Sequence, residues 1–301
     1  MSEQQSILLF GRAGCGKSSI ANMLVQGDIY QNENMFEVSD GAVGETVNIY
    51  GSCTEKYQVF DTVGLGGLET HPVPHKNAIN EIRNYFAWSK ESLNYLFYVK
   101  KKERICNEDK KTFKLFREIF KWAEKNFVII ITNSNPEWVE KNLGAITDSF
   151  GKYPIISVDF PLTDEGEDDD TACNDKIKRV RSLQRLENNL AELNYQSIKL
   201  EVLSSSQKTE KDVSKIVGIV PVIGSTYQLI ASGVYRKLEK PNYAKERLID
   251  GTVGITVDTM SMGVAGVSKN VFVALIKDVT ERILYGAGKE AIERFKGKFQ
   301  F

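Results

Sequence analysis

Across 301 residues, 39 Lys and Arg nearly cancel 40 Asp and Glu, and the formal charge of -1 leaves no global field to draw the chain onto nucleic acid or anionic lipid. The length admits two domains, because a single core usually stops growing at about 250 residues. Cys15, Cys53, Cys106 and Cys173 are too scattered for a zinc site or a secreted disulfide framework, and MSEQQSILLFG lacks the basic start and long apolar core of a signal peptide, so a reducing cytoplasm is predicted.

The first apolar run, SILLF, predicts a buried strand leading into Gly11-Arg12-Ala13-Gly14-Cys15-Gly16-Lys17-Ser18 and a helix over Lys17–Val25. This is a full match to GxxxxGK[ST], in the strand-to-helix context the motif requires. Gly11, Gly14 and Gly16 let the backbone approach phosphates and turn its N–H groups inward, and the opening helix adds its positive dipole end. The cradle is expected to run from Gly11 through Arg12, Ala13 and Cys15 to Ser19. Lys17 is placed to bridge β- and γ-phosphate oxygens, and the Ser18 hydroxyl to ligate magnesium.

Met35–Asn48 is polar and glycine-containing, as expected of a switch loop that senses the γ-phosphate. Thr46 is the first choice for the sensing threonine and magnesium ligand; Ser39 and a plain solvated loop are the alternatives. Two strands, TVNIY and YQVFDT, follow. Asp61 ends the second and begins Asp61-Thr62-Val63-Gly64, which would set a carboxylate beside the magnesium and the Gly64 amide near the γ-phosphate. His71 and His75, the only histidines, flank Pro72 and Pro74 where a second switch loop would lie; they either orient water or are simply solvated.

Beyond this point the strands LNYLFYV, FVIIIT and YPIISV alternate with helices expected over Asn77–Ser89, Glu108–Lys125 and Glu137–Ser149. The alternation predicts an α/β, P-loop NTPase-type three-layer fold with a mainly parallel sheet and right-handed crossovers. Guanine is normally read by Asn-Lys-x-Asp after such a strand. Here FVIIIT leads into Asn133-Ser134-Asn135-Pro136-Glu137: Asn133 is in register, the aspartate is missing, and Asn135 or Glu137 is left to read the base. A helix cap at Asn135 before Pro136 accounts for part of the run equally well.

The acidic stretch TDEGEDDD predicts a solvated linker over 163–175, dividing a nucleotide-binding domain over 1–162 from a helical region over 176–301. Leu183, Leu186, Leu190 and Leu193 form one apolar stripe on a long helix over Lys176–Leu203. An apolar helical hairpin is expected over 216–268. Its uncharged run Ile216–Tyr235 has the length of a membrane span, but Pro221, three glycines and several polar side chains favour helical packing or a dimer surface. Asn270–Phe301 returns to an amphipathic pattern without a lipidation signal.

GRAGCGKSSIANML, DTVGL, the box Arg104-x-x-x-Glu108-Asp109 before a helix, and the TN element after FVIII together resemble the AIG-type G domain of the GTPases of immunity-associated proteins, relatives of septins and chloroplast import receptor GTPases. The likeness covers about the first 160 residues and departs in two places, Val63 for the proline of DTPGL and the missing base-reading aspartate. It implies that Gly14, Gly16, Lys17 and Ser18 bind phosphates and magnesium, that Thr46 and Asp61 sense the γ-phosphate, that Asn133 approaches the base, and that G domains pair across their ligand faces.

The resulting expectation is a cytoplasmic GTP- and magnesium-binding switch or assembly GTPase. Intrinsic hydrolysis would be slow, because Leu65 stands where small GTPases such as Ras carry a water-orienting glutamine, and a nucleotide-dependent homodimer would bring Arg104 to a neighbour's phosphates as a catalytic finger; as one of several charges in YVKKKERIC, Arg104 could equally be a solvated loop end. The alternatives are a non-hydrolysing nucleotide-binding scaffold and an ATP-binding P-loop protein. Peripheral membrane contact through the C-terminal region is a secondary expectation, and no nucleic-acid partner is expected.

Overall fold

The computed structural model describes residues 4–27, 36, 49–62, 64–65, 75–89, 91–162, 169–217 and 223–261. Thr46, Ser39 and His71 lie outside these residues, as do 218–222 and the end of the expected hairpin. The chain divides into two compact units, Met1–Ser205 and Ser206–Phe301.

The first unit is built on a six-stranded sheet. Its strands are β1 (Gln5–Gly11), β2 (Tyr50–Cys53), β3 (Tyr57–Asp61), β5 (Tyr95–Lys101), β6 (Phe127–Thr132) and β7 (Ile155–Ser157), in the order β2-β3-β1-β5-β6-β7. All neighbours are parallel except the β2–β3 hairpin. The runs ILLF and FVIIIT are buried along their whole length, as a parallel sheet covered on both faces demands. Their side chains alternate between two cores. Leu8 and Phe10 face one with Phe86, Phe113, Phe116 and Phe150; Ile7 and Leu9 face the other with Ile20, Ala21, Leu186 and Leu190.

The covering helices are α1 (Lys17–Gln26), α2 (His75–Trp88), α3 (Asn107–Ile119), α4 (Pro136–Phe150) and α5 (Asp169–Leu193). Three elements differ from their expected bounds. Of the strand expected over 46–50, residues 46–48 lie outside the described residues; the described strand runs over Tyr50–Cys53, where the Thr54 hydroxyl accepts from the amides of Lys56 and Tyr57 and turns the chain into β3. The helix expected to reach Lys125 ends at Ile119 and gives way to a 3-10 stretch over Lys121–Asn126, letting the Asn126 amide hold the Asn94 and Gln196 carbonyls. The helix expected over Lys176–Leu203 closes at Leu193; Asn194 takes a positive φ of 41°, and β8 (Ile198–Lys199) then pairs with β4 (Ser92–Leu93). The expected boundary at 163–175 therefore differs from the division of the structure. The leucine stripe of α5 packs on the sheet, and the first unit continues to Ser205.

The second unit contains α6 (Ser205–Val217), α7 (Ile223–Lys237) and α8 (Pro241–Ser261). Gly251 and Gly254 serve close helix packing: a Cβ on Gly251 would stand 2.8 Å from Leu229, and one on Gly254 would strike Ser225. The Arg247 guanidinium, buried between these helices, donates to Gln228 at 2.6 Å and to both oxygens of Glu210 at 3.1 and 3.2 Å, while Tyr235 donates to Glu210 at 2.6 Å. Among the described residues no helix is long and apolar enough to cross a membrane.

Candidate functional site

The loop between β1 and α1 is shaped by its glycines. Gly14 and Gly16 hold φ of 71° and 87°, in the left-handed region that side chains disfavour. A Cβ on Gly14 would meet nothing within 4 Å, so the loop opens there into free space. Gly11 lies against the Val99 carbonyl of β5, where a Cβ has no room. Thr132, at the end of β6, donates to the Cys15 carbonyl at 2.8 Å and supports the loop from beneath. Burial pushes the Cys15 thiol pKa up, which makes this cysteine a packing residue.

Lys17 is buried and curls back over the loop, donating to the Arg12 carbonyl at 3.2 Å. Ser18 donates to Asp61 at 2.6 Å from the first turn of α1. Asp61 is 1% exposed, and only one of its carboxylate oxygens is satisfied: Oδ1 has no hydrogen-bond partner among the described residues. Burial raises its pKa, against the pull of Lys17 and the Ser18 hydroxyl. An unsatisfied buried carboxylate oxygen beside a serine hydroxyl and an open anion cradle suits a hydrated divalent cation carried by a phosphate chain. No group of three or more His, Cys, Asp or Glu among the described residues forms a metal site of its own. Magnesium here would take its remaining oxygens from nucleotide and water.

The segment after Asp61 is tied directly to the cradle. Leu65 donates to Gly11 and accepts from Ala13, both at 3.1 Å, forming a bridge alongside Arg12. Gly64 fits because it has no side chain, since a Cβ would stand 2.5 Å from the Ala13 Cα. Leu65 itself is fully buried in the core.

Two polar clusters support this geometry without reaching into the cradle. In the first, Asp109 at the start of α3 pairs with Lys100 at 3.1 Å and Arg12 at 3.4 Å, and accepts from the Cys106 amide at 2.9 Å. Burial opposes ionisation of Asp109, but Cys106 and Lys100 outweigh it and hold its pKa below the usual carboxylate range. The Asp of the Arg-x-x-x-Glu-Asp box is therefore an internal anchor for the P-loop arginine. Arg104 is exposed in the loop before α3. In the second cluster, the buried Asn22 of α1 grips the backbone of Phe36, accepting from its N–H at 2.9 Å and donating to its carbonyl at 2.8 Å. Phe36 in turn is buried with Ile20, Leu24, Tyr57 and Val59. Sequence reasoning missed Asn22; its only local sign is an amide on the apolar face of a helix.

Immediately after β6, one residue beyond the Thr132 that supports the loop, Asn133 is exposed with φ 52°. Asn135, weighed as a base reader, caps α4 instead, accepting from the Trp138 amide at 3.0 Å with Pro136 in the first turn. Glu137 is exposed in that turn. His75 opens α2, and its side chain lies outside the described residues.

The strand order, the glycine cradle and the Ser18–Asp61 pair define a P-loop nucleotide-binding domain. Residues 5–153 match the family model described as AIG1 family. These residues form an AIG1-like P-loop G domain, and a helical region follows it. No curated protein matches the sequence. Among solved structures, the chain is similar to Toc33 from Arabidopsis thaliana in complex with Mg2+ and GMPPNP, at 17% identity over 65% of this chain and 88% of that one, with TM-score 0.46. It is similar to Era from Aquifex aeolicus bound to GDP and AlF4-, at 12% identity over 64% and 57%, with TM-score 0.43. It is also similar to LeoA, a bacterial dynamin GTPase from ETEC, at 19% identity over 77% and 42%, with TM-score 0.39.

Proposed function

We propose that this protein binds GTP and GDP with magnesium and works as a nucleotide-dependent switch or assembly GTPase in the cytoplasm. The observation that carries the reading is the half-satisfied Asp61 carboxylate, hydrogen-bonded to Ser18 beside the open glycine loop. Lys17 and the loop amides would hold the phosphates, Ser18 and Asp61 would orient the magnesium shell, and Thr46 would join it in the triphosphate state. The metal, when bound, offsets phosphate charge as it builds. The direct test is a titration of the purified protein with GTP, GDP and ATP, with and without magnesium. Magnesium-dependent GTP binding at least tenfold tighter than ATP is expected, and equal or tighter ATP binding would remove the guanine assignment.

Hydrolysis by the isolated chain should be slow, since the buried Leu65 offers no polar group to hold attacking water. The family resemblance supplies the remedy: pairing of G domains would bring the exposed Arg104 of one copy to the phosphates of another. Turnover per molecule should then rise with protein concentration, and Arg104→Ala should flatten that rise while leaving GTP affinity nearly intact. Concentration-independent turnover, unmoved by this change, would leave the second reading that Leu65 also favours, a nucleotide-binding scaffold that hydrolyses little. For the helical C-terminal region, flotation of the full chain with liposomes would support peripheral membrane contact, and its absence from the floated fraction would favour a role in protein packing.

A further inference from the structure

We infer that Asp159, just beyond the end of β7, is the specificity-determining carboxylate that reads guanine in place of the aspartate missing after Asn133. This deepens the GTP-binding reading and rests on it.

In a parallel α/β sheet, ligands lie outside the carboxyl ends of the strands. The cradle stands at the end of β1, and Thr132 ties it to the end of β6. From there the next strand end is that of β7. Val158 donates to Ile131 at 2.9 Å and accepts from Ser134 at 3.1 Å, so Asp159 follows directly on a residue bonded within the Asn133 turn. The Asp159 amide is fixed by the Ser182 hydroxyl at 2.9 Å, which anchors its backbone to α5.

Of the competing groups at this end, Glu137 is exposed in the first turn of α4 and the other is already committed. Asn135 caps α4, and Pro136 occupies the position three residues after Asn133 where the aspartate of the usual motif would stand. The Asp159 carboxylate, by contrast, takes no hydrogen bond or ion pair among the described residues, although it is partly buried. Lys178, Asp175 and Arg185 of α5 and Lys102 after β5 surround it at longer range. Burial raises its pKa against the pull of these cations, the environment of a carboxylate that gains from well-placed donors. Guanine offers such donors side by side, at N1–H and the 2-amino group. Adenine presents an acceptor at N1, which a carboxylate repels.

The chemistry gives a diagnostic substitution. In Asp159→Asn, the amide oxygen still accepts from N1–H, but its NH2 now faces the guanine amino group donor to donor. Xanthine carries an oxygen at that position and accepts from the new amide. Affinities for GTP, XTP, ATP and inorganic tripolyphosphate should be measured on the full-length protein and the variant. The GTP-to-XTP affinity ratio is expected to fall by at least about 100-fold, because sites built on paired hydrogen bonds discriminate by large factors. Tripolyphosphate affinity should hold within about twofold, which shows that the cradle remains folded. If the Asn variant fails to fold, Asp159→Glu replaces it and should weaken GTP at least tenfold without a gain for XTP. A wild type that prefers GTP, together with a variant whose GTP-to-XTP ratio is unchanged, would overturn the role of Asp159 and leave the GTP reading intact. A wild type without guanine preference would overturn both.

Discussion

The proposed phosphate end of the cradle and its proposed base end both lie at the carboxyl ends of the strands but depend on different kinds of information. At the phosphate end, Gly14, Gly16, Lys17 and Ser18 are consecutive or nearly so, and their roles follow from backbone conformation and helix start. The one distant participant, Asp61, is delivered by strand pairing: β1 and β3 run parallel with Leu9 opposite Asp61. At the base end no local motif is complete. Asn133 stands alone, its neighbour Asn135 is used by the helix, and the available carboxylate comes from another strand. On this reading phosphate binding rests on eight contiguous residues, whereas base reading would rest on side chains delivered from separate loops.

The largest effect expected at the phosphate end is that of Lys17→Ala. Its ammonium would make charge-assisted bonds to the phosphates, so GTP and GDP should both lose at least about 100-fold in affinity, or about 2.8 kcal/mol. A fluorescent-nucleotide titration measures this. A loss below about threefold would mean that the base end carries the affinity, reversing the comparison.

Asp61→Asn separates binding from stability. Burial raises the folded pKa of Asp61 above its unfolded value, so above the unfolded pKa the charge works against folding, and this cost disappears as the pH falls. A neutral amide that can still accept from Ser18 removes the cost at neutral pH. The nucleotide-free protein should melt higher by about 2–4 °C, while magnesium-dependent GTP affinity falls about tenfold. Loss of both stability and GTP binding in calorimetry and titration would show that the carboxylate is structural.

How much was legible follows the same division. The sheet, its helices and the P-loop were readable because their signals are local: continuous apolar runs, helical stretches alternating with them, a contiguous glycine motif. The supports were not. Asp109 meets Arg12 across 97 positions, and Asn22 meets Phe36 across 14, and no spacing rule links either pair. Helix ends also escaped, because the stops at Ile119 and Leu193 are set by what Asn126 and β8 find elsewhere in the first unit. Asn22→Ala tests such a support. It leaves the Phe36 N–H and carbonyl without partners in a buried setting, at about 1–3 kcal/mol for each group so stranded. Thermal melting of the nucleotide-free protein should show the loss, and an unchanged midpoint would mean that water replaces the amide.

The smallest expected effect sharpens the base end, where two readings of Asn135 compete. A base reader needs its side-chain oxygen or amide free toward the ligand. The Asn135 oxygen is already bonded to the Trp138 amide at 3.0 Å, its backbone is extended at φ -120°, and Pro136 starts the helix behind it. Reaching a base would uncap α4 and take from the Trp138 amide the acceptor it now meets. Asn135→Ala should therefore cost about 1 kcal/mol of stability, the usual value of such a cap, and lower the melting midpoint by about 2–4 °C. The ratio of GTP to ATP affinity should stay within about twofold of wild type. A collapse of that ratio with little change in melting would make Asn135 the base reader after all, and base recognition here would then be as local as phosphate recognition.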